Sequence, residues 1–382
     1  MMMDHKTPQQ TGDPAGHRSD SCANTRVERQ EAFELLTRTP LGALMERAHA
    51  VRQQKHTHDQ VGYVCDTNPN YSNICVTRCR FCAFCRKAGD EDAYTLTPDQ
   101  VAEKVVNAHA LGATTVLLQG GHNPKIRLAD WLDYLRAIRT ACPQIHIHPF
   151  SPAEYLFMAQ QEQTDPVTIL KAVFAEGIRT IPGGGAEILS ERVRRIIAPG
   201  KADTHQWLEV CETAHQIGFR TTATMMYGHV ESDAEIIDHL FLIRDLQDRT
   251  HGFTSFIPWS FKPGDTKLGQ EISGVVHPAK YVRIIATARL VLDNFDHIQS
   301  SWFSENIAAG QLGLLAGADD FGGILIEEHV HKQAGHERTT TVEDVQTIIR
   351  RAGFTPVQRD SFYNVLSVFD GPALVGVEEH SR

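Results

Sequence analysis

The chain has 382 residues, of which 41% are hydrophobic and 22% are charged, so its composition is that of an ordinary globular protein and excludes a disordered or collagen-like chain. The formal net charge of −10 offers no general attraction to nucleic-acid phosphates or anionic lipid, and we expect a small-molecule substrate instead. No run approaches the roughly 18 apolar residues of a membrane helix, and the first residues lack the apolar core of a signal peptide, which together predict a cytoplasmic protein.

The amino-terminal part of the chain divides into two segments. Residues 1–24 are polar and interrupted by prolines and glycines, which predicts a disordered arm. Residues 25–60 have apolar residues at helical spacing with one break at Pro40, which predicts a helical lead-in. Residues 61–370 would then form the main domain, a barrel with further carboxy-terminal elements.

From residue 61 onward, short apolar runs alternate with helical patterns, as in consecutive βα units around a parallel sheet. The clearest strand is TTVLL, because its continuous apolar run suits a strand that is buried on both faces. Other predicted strands lie just before Cys75, near residues 318–321, and from Ile145, Ile178, Phe219, Phe253 and His297. Predicted helices cover residues 98–111, 128–141, 204–217, 233–248 and 278–293. The strand count approaches eight, so we predict an α/β (β/α)8 TIM-type barrel with a helical amino-terminal extension, in preference to a partial, open barrel.

The cysteines in NICVTRCRFCAFCR have the spacing Cys75-x3-Cys79-x2-Cys82. Thiolates are soft ligands that suit iron-sulfur clusters, and a cubane needs one ligand for each iron. Three cysteines can therefore hold three irons of a 4Fe-4S cluster and leave the fourth open. The open iron can chelate S-adenosylmethionine, and one electron then breaks a carbon–sulfur bond to release a 5′-deoxyadenosyl radical.

A fourth cysteine leaves two other interpretations open. A structural zinc on Cys79, Cys82, Cys85 and a distant ligand would make the chain a zinc-stabilised binding protein without turnover, although Cys75 would then have no role. As a fourth cluster ligand, Cys85 would close the open iron. We expect Cys85 instead to point away from the cluster.

The cysteine loop resembles that of the radical S-adenosylmethionine superfamily, in which an aromatic residue precedes the third cysteine, the position of Phe81 here. The resemblance implies that Phe81 lies beside the cofactor. In QGGHNP, Gln119, Gly120 and Gly121 resemble the superfamily's turn that contacts the methionine amino group, and glycines at such a turn could also present N–H groups to a ligand.

Other candidates follow later strands. Glu187 in GGGAE could bind the ribose hydroxyls of the cofactor or could simply start a helix. His229 and Glu231 in YGHVE are our candidates for a catalytic base, with a local His–Glu pair or an exposed helix start as the alternative. Trp259 and Trp302 could line the pocket or belong to the core.

Several further segments are similar to the radical enzymes of the futalosine route to menaquinone and to the related deazaflavin enzymes. These segments include LLQGGHNP, GGGAEILSERVR, TTATMMYGHVE, FIPWSFKPGDT and GADDFGG, within the range 71–363. Where this chain has Cys85, that family usually has a residue other than cysteine.

The resemblance implies an activity. The 5′-deoxyadenosyl radical would remove hydrogen from the ribose of dehypoxanthinyl futalosine, and the substrate radical would close onto the benzoate ring to give a spirocyclic product. An external one-electron donor such as flavodoxin or ferredoxin is implied as a partner. Two related reactions stay open: aminofutalosine synthesis, in which the adenosyl group is added to the substrate, and the deazaflavin-type reaction with tyrosine.

Overall fold

The computed structural model describes residues 26–56, 58–272, 276–326 and 340–369. The predicted arm, residues 1–24, lies outside the described residues. Two helices precede the first strand, and they occupy most of the segment predicted as a helical lead-in. The domain boundaries themselves stay predictions.

Helices and strands alternate along the chain after this lead-in. The helices of the described residues, α1 to α12 in chain order, are Arg29–Thr37, Leu41–Lys55, Pro98–Ala110, Leu128–Ala141, Pro152–Glu162, Pro166–Ala175, Glu191–Ile197, Thr204–Ile217, Asp233–Thr250, Pro278–Val291, Ile307–Leu315 and Val342–Arg351. The strands, β1 to β10, are Gln60–Thr67, Thr115–Leu118, His146–Pro149, Thr180–Ile181, Arg220–Tyr227, Phe253–Ser260, His297–Ile298, Asp320–Leu325, Thr355–Arg359 and Val365–Val368.

The helix starts are encoded locally. At α3, the Thr97 side chain accepts the N–H of Gln100 while the Gln100 side chain accepts the N–H of Thr97, so two donors at the helix end are satisfied together. Ser232 and Glu235 form the same reciprocal pair at α9. Among the described helices, none is both long and apolar enough to cross a membrane.

Strands β1 to β8 form a barrel. Parallel ladders join β1 to β2 and β2 to β3, and a second set joins β4, β5, β6 and β7 in sequence order. Strand β8 pairs with β1 and a single bridge joins Gln299 after β7 to Asp320, so the last strand returns to the first. The predicted α/β TIM-type barrel is confirmed.

Side-chain hydrogen bonds connect strand β3 to strand β4 in the barrel wall. The hydroxyl of Thr180 lies 2.7 Å from Nε2 of His146 and 2.8 Å from Nδ1 of His148. Within the described residues no backbone ladder links these two strands. One buried threonine hydroxyl therefore connects the two parts of the sheet.

The carboxy-terminal elements include a hairpin whose pairing the sequence did not predict. Strand β9 pairs parallel with the amino-terminal half of β1, and β10 pairs antiparallel with β9. The hairpin brings Arg359 into the barrel, where its guanidinium group binds the Asp320 carboxylate, with 2.8 Å between Nη2 and Oδ1. Asp319, the residue before Asp320, is buried and forms an ion pair with Arg289. Each of the two carboxylates in GADDFGG is therefore paired with an arginine.

Candidate active site

The cysteine loop lies between β1 and α3 and its backbone is held on both sides. The predicted first strand ends at Thr67, eight residues before Cys75, so the loop is longer than expected. The Cys75 N–H donates to the carbonyl of Arg86 at 3.0 Å, and the Cys82 N–H donates to the carbonyl of Cys79 at 3.2 Å. These bonds hold the three predicted ligand cysteines in one compact loop.

The double glycine after β2 allows this loop to pack closely. A Cβ atom on Gly121 would lie 2.3 Å from the carbonyl oxygen of Ile74, and one on Gly120 would lie 2.6 Å from the Tyr71 ring. No side chain fits at such distances.

The N–H groups of the two glycines are already bound within the chain. Gly120 donates to Oε1 of Glu154 at 3.2 Å, and Gly121 donates to the carbonyl of Ser72 at 2.7 Å. The expectation that the glycines present N–H groups to a ligand is therefore wrong.

Cys85 lies beside Cys75. Its Sγ donates to the carbonyl oxygen of Cys75 at 3.3 Å, which differs from the prediction that it points away. A hydrogen bond from the Cys85 thiol lowers the pKa of Cys75, whereas burial raises the pKa of Cys79. Cys85 therefore contacts one of the three predicted cluster ligands, although it is not part of the Cys75-x3-Cys79-x2-Cys82 set.

Glu187 lies deep in the site and is 5% exposed. Its Oε1 atom is 2.7 Å from Nζ of Lys201, and Nη1 of Arg194 is 3.7 Å from its Oε2 atom. Oε2 is buried and accepts no hydrogen bond from the described residues. Helix α7 is capped by Ser190, so Glu187 does not start a helix. A buried carboxylate oxygen without a donor suits a ligand hydroxyl group.

Lys201 connects this carboxylate to the cysteine loop. Burial lowers the pKa of Lys201, but the adjacent Glu187 carboxylate more than offsets this, and the pKa is raised overall. Its ammonium group also lies 5.7 Å from the centre of the Phe81 ring. The positive charge of Lys201 therefore lies between the Glu187 carboxylate and the Phe81 ring.

A cavity of about 360 Å³ opens inside the barrel beside these groups. Its walls combine polar side chains from the carboxyl ends of the strands with aromatic rings, including Asn68, Gln119, Glu187, Trp259 and Trp302. Both tryptophans line the cavity, and Trp302 is also buried in the core, so both predicted interpretations hold for Trp302. This edge of a parallel barrel is where barrel enzymes bind their substrates.

His229 and Glu231 do not reach the cavity wall as the structure describes it. The Glu231 carboxylate accepts the N–H groups of Gly228 at 2.6 Å and His229 at 2.9 Å. On the imidazole of His229, Nδ1 accepts the N–H of Val230 and Nε2 donates to the carbonyl of Met226. The pair shapes the turn after β5, so the alternative of a local His–Glu pair describes it better than a catalytic base.

Sequence reasoning missed several residues that line or support the site. His148 lies on β3, and Asp66 lies on β1, which ends earlier in the chain than predicted. Arg359 and Tyr363 belong to the carboxy-terminal hairpin, and all four residues line the cavity. The polar segment HPFSPAE follows the strand predicted from Ile145, and this is a usable signal for His148. Lys201 belongs to no recognisable motif, because its role depends on an ion pair with Glu187, which lies 14 residues earlier in the chain.

Comparison with known proteins decides the family. Residues 70–243 match the model of the radical SAM superfamily, and residues 250–370 match the CofH/MqnC C-terminal region. A cyclic dehypoxanthine futalosine synthase from Streptomyces coelicolor is 37% identical over 362 residues, which cover 94% of this chain and 90% of that protein. The chain belongs to the radical SAM superfamily. As a radical SAM enzyme it uses a 4Fe-4S cluster and S-adenosylmethionine.

A second relative is similar to nearly the same extent, and a solved structure shares the fold. The 5-amino-6-(D-ribitylamino)uracil–L-tyrosine 4-hydroxyphenyl transferase of Methanopyrus kandleri is 37% identical over 335 residues, covering 85% of this chain and 89% of the transferase. The crystal structure of methylornithine synthase (PylB) superposes with a TM-score of 0.66 at 18% identity, over 87% of this chain and 94% of that one, and so supports the fold.

Proposed function

We propose that this radical SAM enzyme cyclises dehypoxanthinyl futalosine. The observation that carries the proposal is the similarity to the Streptomyces coelicolor synthase, which extends over 94% of this chain and 90% of the relative. That range includes the cysteine loop, the glycine turn and the strands around the cavity. The reaction would belong to the futalosine pathway of menaquinone biosynthesis.

We infer that Cys75, Cys79 and Cys82 hold the cluster. The three thiols lie on one loop whose backbone is fixed by hydrogen bonds, and their number leaves one iron of a cubane open. When bound there, the cluster and S-adenosylmethionine supply a 5′-deoxyadenosyl radical that removes a hydrogen atom from carbon 4′ of the substrate ribose.

The cofactor would be oriented by groups already in place. Carbonyl oxygens of the turn at Gln119 and Gly120 can accept hydrogen bonds from the methionine ammonium group, and Oε2 of Glu187 can accept one from a ribose hydroxyl. Phe81 and the Lys201 ammonium group close the side next to the loop.

The cavity would control the substrate radical. Its aromatic and aliphatic walls, among them Trp259 and Trp302, can exclude water and hold the ribose against the benzoate ring. Confinement matters because a carbon radical reacts with whichever partner lies nearest. The reductant would be an external one-electron donor such as flavodoxin or ferredoxin.

A second candidate reaction has its own support. The Methanopyrus kandleri transferase, whose name specifies tyrosine as a substrate, is as similar in identity, at 37% over 85% of this chain. Aminofutalosine synthesis, in which the adenosyl group becomes part of the product, is the other alternative.

Product analysis separates the three reactions. The anaerobically reconstituted enzyme is incubated with S-adenosylmethionine, a strong reductant and each substrate set in turn, and products are identified by mass spectrometry. We expect free 5′-deoxyadenosine and a product two hydrogens lighter than dehypoxanthinyl futalosine. A tyrosine-derived adduct with the ribitylaminouracil, or a product that contains the adenosyl group, would contradict the proposal.

A further inference from the structure

Five titratable side chains line the cavity: Asp66, His148, Glu187, Arg359 and Tyr363. The proposed cyclisation must release a proton, because the attacked carbon of the benzoate ring loses its hydrogen when the ring becomes aromatic again. The residue that accepts this proton has to reach the cavity and carry an available lone pair at neutral pH.

Two of the five groups are held in ion pairs. Glu187 is paired with Lys201 at 2.7 Å. Arg359 is bound by Asp320 through both ends of its guanidinium group, with 2.8 Å between Nη2 and Oδ1, and as a cation it has no lone pair to offer.

Two more are poor bases for this step. Nδ1 of His148 lies 2.8 Å from the hydroxyl of Thr180, and burial lowers the pKa of His148 well below its usual value. Burial raises the pKa of Tyr363, so its phenol stays protonated and its ring stacks against His297 at 3.8 Å.

Asp66 differs from these four. It lies on β1, directly opposite Thr115 of β2 and Leu325 of β8, and its side chain enters the barrel. Its carboxylate accepts no hydrogen bond from the described residues. A Cβ atom on Gly323 would lie 2.7 Å from Oδ2 of Asp66, so a glycine at this position of β8 leaves room for the Asp66 carboxylate.

The charges that face Asp66 come from two elements. The Arg359 guanidinium on β9 stabilises the ionised carboxylate and lowers its pKa, whereas the Asp320 carboxylate on β8 raises it. Burial is the largest influence, and together these effects raise the pKa of Asp66 to about 7. A carboxylate with such a pKa both accepts and returns protons near neutral pH.

We propose that Asp66 is the catalytic residue that accepts the ring proton in the final step of the cyclisation, an inference that rests on the proposed function. After the C4′ radical bonds to the ring, the ring carbon–hydrogen bond breaks. The proton passes to the Asp66 carboxylate, and the one remaining unpaired electron passes to a one-electron acceptor of the iron-sulfur class. The ring regains six π electrons, and Asp66 then returns the proton to solvent.

The test is the ratio of cyclic product to 5′-deoxyadenosine in Asp66→Asn. The amide has the same shape but cannot accept the proton, whereas hydrogen abstraction precedes the step and needs no base. We expect 5′-deoxyadenosine to form at a rate near wild type and the ratio to fall about 100-fold. Asp59→Asn, the same chemical change at an exposed residue that precedes β1 and does not line the cavity, serves as the matched control and should keep the wild-type ratio.

Two results would overturn the role of Asp66. One is a wild-type ratio in Asp66→Asn, and the other is equal loss of product and 5′-deoxyadenosine, which would assign Asp66 to substrate binding. If wild-type enzyme itself makes no cyclic product from dehypoxanthinyl futalosine, the proposed function fails and this inference fails with it.

A pH profile of the wild-type enzyme gives a measurement that does not depend on the variant folding. Because only the ionised carboxylate accepts a proton, the ratio should fall as pH decreases from 8 to 6, around the pKa of about 7. A ratio that stays constant over this range would contradict the inference. In a folded Asp66→Asn variant we expect the low ratio to be independent of pH.

Discussion

Lys201→Met tests the buried ion pair that orients Glu187. The substitution keeps most of the side-chain volume but leaves the Glu187 carboxylate buried without its partner at 2.7 Å. Removing one partner of a buried ion pair typically costs about 3–5 kcal/mol of unfolding free energy. Arg194 remains 3.7 Å from Oε2 and offsets part of the loss, so we expect about 3 kcal/mol.

The measurement is urea denaturation of the apoprotein, followed by circular dichroism at a fixed pH and salt concentration. Lys171→Met is the matched control, because Lys171 lies exposed on α6 and the same chemical change should alter stability by about 0.5 kcal/mol at most. The double variant Lys201→Met, Glu187→Gln should be more stable than Lys201→Met alone, because a neutral amide is cheaper to bury than an unpaired carboxylate. A Lys201→Met protein within 0.5 kcal/mol of wild type would refute the assigned pairing.

Three further predictions concern the cysteine loop and the core. Gly121→Ala should prevent cluster incorporation because its Cβ atom would lie 2.3 Å from a loop carbonyl oxygen, whereas Gly89→Ala, with open space around it, should bind iron normally. Cys79→Ala should abolish cleavage of S-adenosylmethionine, and Cys85→Ala should leave it largely intact; iron content and 5′-deoxyadenosine report both. Burial lowers the pKa of His239 to about 3, below its value in the unfolded chain, so the unfolded state binds the proton first and stability falls as pH drops below 6.5. Between pH 6 and 5, His239→Gln should lose about 1 kcal/mol less unfolding free energy than wild type in urea titrations.

The parts of the fold that the sequence predicts best are those with local signals. Helices Leu128–Ala141 and Thr204–Ile217 match their predicted bounds because apolar periodicity and capping residues lie within the segments themselves. Strands Thr180–Ile181 and His297–Ile298 are much shorter than the apolar runs suggested, because a strand's length depends on its neighbours in the ladder.

The residues of the site divide in the same way, into those with local sequence signals and those that depend on distant parts of the chain. The cysteine spacing and the double glycine depend on residues close in sequence, so their grouping was visible before the fold. The hairpin that delivers Arg359 pairs with a strand about 300 residues away in the chain, as the register of Gly62 with Val357 shows. Periodicity carries no information about such a pairing.

The two open interpretations of His229 and Glu231 have a physical cause. A histidine and a glutamate at a strand end are suited to acid–base chemistry, but the same groups also satisfy the backbone of a tight turn. Which task they perform depends on whether they face the cavity. Asp66 was overlooked for the converse reason, since a single carboxylate within a strand forms no motif.

The central claim is that three thiols hold a 4Fe-4S cluster whose fourth iron stays open although Cys85 lies next to Cys75. Electron paramagnetic resonance of the anaerobically reduced protein, recorded with and without S-adenosylmethionine, tests it most directly. We predict that the cofactor changes the cluster spectrum equally in wild type and in Cys85→Ala. A wild-type spectrum that S-adenosylmethionine leaves unchanged, with a response appearing only after Cys85 is removed, would show that all four irons are bound by the protein and would contradict the account.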